Sequence, residues 1–142
     1  MKFDVFPIAF KRGWHNVIHF SAFGNDLSKY GDRIPGVWFH ENNVNQLYLC
    51  SAVSGNKDHC KVGADTAVQK GVWSTITIKQ RKDGQGRYVY TININGKVAH
   101  SVINTDARLF KTVKVYVGDP WYAHQAGYIR KLSVDVGKST SL

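Results

Sequence analysis

Few residues in this chain stand at spacings that could do chemistry. Its one glutamate, Glu41, sits in a His-Glu-Asn-Asn stretch, and no strand-like run of alternating acidic residues accompanies it. Glycosidic cleavage needs two carboxyl groups flanking the scissile bond, so a glycoside hydrolase is the remote reading and no catalytic residue is assigned. Neither a Gly-x-Ser-x-Gly elbow nor a Gly-rich phosphate loop is present. His15 and His19 would lie on one face of a shared strand, but structural zinc takes four ligands and no third is in view. The loop carboxylates Asp26, Asp32 and Asp119 are the better metal lead, because calcium takes six to eight oxygen ligands from such groups. Calcium is thus the one cofactor the sequence suggests, against the plainer reading that Asn and Asp cap turns through their own side chains.

Aromatic side chains make a stronger case for binding. Trp121, Tyr122 and His124 fall in GDPWYAHQAG, residues 118–127, with Asp119 beside them. Exposed rings there would stack on a sugar face while polar neighbours fix its hydroxyls, and Arg33 and Lys57 would add charge at the same rim. The competing expectation is that Trp121 plugs the open end of a core. Trp14, Trp38 and Trp73 occupy strand positions and are read as core.

Cys50 and Cys60 bracket SAVSGNKDH, a polar segment able to turn the chain back, which suits a disulfide closing a hairpin or short loop. Two free thiols are the alternative, and the lack of Cys-x-x-Cys disfavours zinc. A bridge implies an oxidising, extracytoplasmic compartment, so a secreted protein is expected. The opening MKFDVFPIAFKR is broken by Asp4 and Pro7 and lacks the apolar run of a signal peptide, so in a secreted protein Met1 is expected to open either a mature fragment or a chain started artificially for expression. Nineteen Lys and Arg against ten Asp and Glu give a net charge of +9. That field attracts anionic partners such as acidic glycans, although the basic residues are scattered, as on a solvated surface. Nucleic acid is disfavoured, since no RNP-like, zinc-finger or helix-turn-helix pattern occurs. No segment has the ~20 consecutive apolar residues of a membrane-spanning helix.

Strands must position these groups. Period-two patterning recurs along the chain, without a sustained repeat at three and four residues. Residues 88–95 alternate cleanly and end at Asn95-Gly96, a pair suited to a type I′ hairpin turn, so 97–103 should return antiparallel. Further strands are expected at 3–10, 16–23, 36–40, 46–52, 73–80, 112–117 and 128–136. Two longer irregular stretches, 24–35 and 118–127, are where binding groups would sit. One domain is expected over residues 1–136, with 137–142 a polar tail.

The segment VYVGDPWYAHQAGYIRKLSVDV resembles the end of laminin G-like modules, in which a strand reaching a Gly-Asp turn is followed by a loop and a closing strand. Tyr116, Val117 and Gly118 match the first part; Gly127, Tyr128, Ile129, Arg130 and Leu132 match the second. VQKGVWSTITIKQ is similar to the Asp-Gly-x-Trp-His-x-Val strand of those modules, with Lys70 in place of Asp and Ser74 in place of His. The resemblance implies a concanavalin A-like jelly roll, an antiparallel two-sheet sandwich, whose relatives often hold calcium at a loop rim. That fold hosts many functions. The expected function is non-catalytic recognition of a neutral or sulfated glycan; a structural or adhesion module binding a protein is the alternative.

Overall fold

The computed structural model describes residues 1–23, 28–118 and 121–136, which build two antiparallel five-stranded sheets. The strands are β1 (Lys2–Pro7), β2 (His15–Ser21), β3 (Gly36–Phe39), β4 (Leu47–Val53), β5 (Asn56–Lys61), β6 (Ser74–Lys82), β7 (Tyr88–Ile94), β8 (Lys97–Ile103), β9 (Lys114–Tyr116) and β10 (Gly127–Ser133). The first sheet runs β10-β1-β6-β7-β8 and the second β5-β4-β3-β2-β9. Among the described residues the only helical element is a 3-10 turn at Ala64–Thr66, and no helix is long and apolar enough to cross a membrane.

Alternation accounts for the layers. Phe3, Val5, Ile76, Ile78, Ile92 and Ile94 point inward from the first sheet. They meet Val17, Ile18, Phe20, Val37, Phe39, Leu47 and Leu49 from the second, and burying side chains of this kind contributes about 1.5 to 3 kcal/mol each. The outer positions of the central strands take other residues: Thr75 and Thr77 on β6, and Asn16, His19, Trp38 and Tyr48 on the second sheet. A register shift against β3 between Asn16 and Ile18 places Val17 and Ile18 both in the core. That bulge puts His15 and His19 on opposite faces, although they would share a face of a regular strand. His15, hydrogen-bonded through Nδ1 to the Gly13 carbonyl at 2.9 Å, lies by Phe10 and Phe39, whereas His19 is buried on the outer face against Trp38.

Two hairpins turn on residues of positive φ, Asn95-Gly96 as expected and Ser54-Gly55 between β4 and β5. The strand β5 was not among those expected, because NKDHCK carries no apolar alternation; pairing with β4 and the disulfide hold it instead. The strand expected at 112–117 is only three residues long, and 104–113 is an irregular crossing between the sheets. Trp73 is also not core. It packs outside the first sheet against Phe6, at 5.1 Å between rings, with the Arg130 guanidinium over it at 3.8 Å. Residues 137–142 lie outside the described residues.

Candidate functional site

The outer face of the second sheet carries an aromatic pocket of about 200 Å³, lined by Trp14, Arg33, Trp38, Tyr48, Asp58, Trp121 and Tyr122. Its floor begins at Gly36. Gly36 and Trp38 share a face of β3, and the Trp38 ring lies flat over Gly36, where an added Cβ would overlap the indole. Trp121 covers Trp38 in turn, with planes 9° from parallel and centroids 6.0 Å apart. His19 packs against both indoles, at 5.2 Å from Trp38 and 4.4 Å from Trp121. Its Nε2 contacts the Asp32 carbonyl oxygen, which can only accept, so that nitrogen carries the proton. Trp14 forms the far wall, edge-on to Tyr48 at 4.8 Å and 6.1 Å from Tyr122.

One buried asparagine positions the loop that brings in Trp121 and Tyr122. Asn16 Oδ1 accepts from the Gly118 N–H at 2.9 Å. The Asn16 N–H donates to the Ala123 carbonyl, and its own carbonyl accepts from the Gln125 N–H, both at 2.8 Å. The bulged strand therefore grips the loop on both sides of the two rings. Gly127 closes it, because a Cβ there would run into the Phe6 carbonyl oxygen.

Arg33 supplies the charge. It is set by the Ala52 N–H donating to its carbonyl at 2.9 Å, beside β4. The guanidinium lies 5.1 Å over the Trp121 ring, and its Nε stands 3.5 Å from Asp58 Oδ1. The Arg33 side chain is 14% exposed and its Nη1 is buried without a hydrogen-bond partner among the described residues. Burial raises the Tyr48 phenol above its ordinary pKa, with nearby Asp58 adding to the effect, so Tyr48 remains a neutral hydroxyl at physiological pH.

Three expected contacts, Trp121, Tyr122 and Arg33, thus come together, and two do not. His124 is exposed, pairs through its backbone with Asn16 and does not line the pocket. Lys57 is exposed on β5 beside Asp58, where the pleat turns it to the opposite face. Asp119 and Asp26 lie outside the described residues. Asp32 is fully buried, with Oδ2 accepting from the Lys29 N–H at 2.7 Å, so its carboxylate shapes the loop. The residues missed were Trp14, Trp38, Tyr48 and Asp58. Trp121 itself is neither a free ring nor inter-sheet core, being half-buried as one wall of the pocket.

Cys50 and Cys60 form the disulfide, joining directly paired residues of β4 and β5 at the margin of this face. Asp58 lies close to both sulfurs, but oxidised sulfurs offer no thiolate to a metal. Comparison of the chain with family models, with curated proteins and with solved structures yields no match. What fold and site define together is an antiparallel β-sandwich with an aromatic pocket on one outer face.

Proposed function

We propose that this protein is a non-catalytic carbohydrate-binding module that seats one sugar ring in the aromatic pocket of its second sheet. The observation that carries the reading is the buried, unpaired Nη1 of Arg33 within a wall of rings. An unsatisfied buried donor costs about 1 to 3 kcal/mol, which a ligand oxygen arriving there offsets. Trp14, Trp121 and Tyr122 line the pocket with aromatic surface suited to the C–H side of a sugar, and about 200 Å³ is small for a drug-sized ligand but suits a single ring. The guanidinium favours a carboxylate or sulfate substituent, while Asp58 accepts from neighbouring hydroxyls. The net charge of +9 draws acidic glycans toward the surface.

The concanavalin A-like jelly roll is the fold we propose to accompany this function, supported by the laminin G-like pattern of the closing strands and by a chain that crosses between two antiparallel sheets after β1, β5, β8 and β9. The disulfide suits a secreted setting. The test is a glycan array probed with wild type and Arg33→Gln, with and without a calcium chelator. We expect retention of uronic or sulfated glycans, weakened at least about tenfold by the substitution. A folded protein that retains no glycan, or an Arg33→Gln variant that binds as well as wild type, would sink the reading in favour of an adhesion module. Loss on chelation would assign calcium to the site.

A further inference from the structure

A second cavity, of about 460 Å³, lies between the two sheets, walled by β2, β4, β6 and β7, by the 104–113 crossing that leads into β9, and by Val134 and Val136 just beyond β10. Its walls are mainly apolar, with Phe20, Ile34 and Ile78 inside and Val115, Val134 and Leu109 at the mouth. The mouth residues remain in contact with water: Val115 is 48% exposed, Val134 52% and Leu109 80%. Large apolar side chains left open around a cavity mark a place that something apolar fills.

Polar chemistry inside the cavity narrows what that is. Tyr90 lines it with only 3% of its surface exposed, and its hydroxyl has no well-formed hydrogen bond among the described residues; the Ser51 side chain is its polar neighbour. Three cationic groups line it: Lys79 and Arg108, exposed at the rim, with Arg108 already held by Asp106 through hydrogen bonds of 2.9 and 2.7 Å, and the half-buried Met1 ammonium, which donates to the Ile78 carbonyl at 2.9 Å. A carboxylate beside Tyr90 would either draw the Met1 ammonium away from the Ile78 carbonyl or stay buried without a counter-charge, and both are costly, whereas a neutral oxygen would satisfy the phenol without that penalty. We propose that this cavity binds a slender aliphatic molecule bearing one uncharged oxygen, a medium-chain alcohol, with the oxygen at Tyr90 and the chain running out past Leu109, Val115 and Val134. The site is separate from the aromatic pocket and does not depend on the carbohydrate reading.

Fluorescence titration of the full chain with N-phenyl-1-naphthylamine, a neutral probe, tests this, with displacement by 1-decanol, decanoate and decane. The probe should bind saturably, and 1-decanol should displace it at a concentration at least about tenfold lower than either competitor. Tyr90→Phe should keep the probe and remove the preference for the alcohol over decane. Val115→Glu, at the half-exposed mouth, should abolish probe binding without changing the circular dichroism, and Trp121→Ala should leave it intact. Absence of saturable binding, decanoate equal to or better than 1-decanol, or an unchanged preference in Tyr90→Phe would overturn the proposal. So would a sedimenting dimer that dissociates in Val115→Glu while the probe never binds, because the mouth would then be an interface between two copies.

Discussion

The indole of Trp121 lies nearly parallel to that of Trp38, 6.0 Å between centroids, although the two stand 83 positions apart in the chain. The contact makes a loop side chain part of the cover of a sheet, so a ring available for ligand contact also contributes to stability. Trp121→Ala should therefore lose ligand binding and also destabilise the fold by about 2 kcal/mol, less than the 3 to 5 expected of a fully buried tryptophan. Thermal unfolding and array binding on the same preparation check both halves. A full core-sized loss of stability, with binding intact in the folded fraction, would remove Trp121 from the site.

Asn16 touches no ligand position, yet its side chain holds the start of the loop that carries Trp121 and Tyr122. Asn16→Ala should cost about 1 to 3 kcal/mol through an unpaired Gly118 N–H and weaken binding as the rings lose their register. Tryptophan fluorescence, quenched by acrylamide, should show greater access in the variant. Unchanged quenching with reduced affinity would mean that Asn16 acts in some other way.

Linking residues 50 and 60 closes a short loop, for which chain entropy gives roughly 2 to 3 kcal/mol of stabilisation. Replacing both cysteines by serine should lower the unfolding free energy by about that amount, moving the denaturant midpoint down, and steepen the slope because the released denatured chain exposes more surface. Because β5 carries Asp58, the same double variant should bind ligand more weakly. Equal midpoints would show that β5 is held by backbone pairing alone.

Acid should loosen the edge of the sandwich opposite β9 and β10. His59 Nε2 and His100 Nε2 stand 2.8 Å apart, bridging β5 of one sheet and β8 of the other, a contact that requires one nitrogen to be unprotonated. Burial first, then His59 and Lys61, push the His100 pKa below its ordinary value of 6.5, with Asp65 opposing. In the window below about 6.5 the unfolded chain binds more protons than the folded one, so stability is present above that window and lost as pH falls through it. The melting temperature should drop between pH 7 and pH 5, and His100→Gln should flatten that slope. A wild-type slope persisting in the variant would place the acid sensitivity elsewhere.

Fold class was legible because alternation is a backbone property: the run from Tyr88 to Ile94 reads as a strand from its apolar spacing alone. The β5 strand was not, since Asn56 to Lys61 is polar throughout and owes its extended form to a partner strand and a covalent link. The site was half legible. Trp121 and Tyr122 stand out in the sequence between turn residues, whereas Trp38 and Tyr48 lie between buried residues, Val37 and Phe39 in one case and Leu47 and Leu49 in the other. Period two alone would have turned both to the outer face. What it does not say is that a distant loop would fold over that face and make it a pocket. The bulge at Val17 also left no signature, because inserting one apolar residue among others changes the register without changing the composition.

Gly36 beneath Trp38 bears on how this pocket can change over generations. The floor exists because one strand position has no side chain, and the ring filling that space is pinned from above by Trp121 and from the side by His19. Any other residue at 36 would force the indole out and dismantle the stack, so the floor is inherited whole or lost whole. New ligand preferences must then be written at Arg33, Tyr48, Asp58 and Tyr122, where a side chain can be exchanged without moving its neighbours' backbones. Descendants of this chain with a different taste in ligands should differ at the rim and keep Gly36 and Trp38 as a pair.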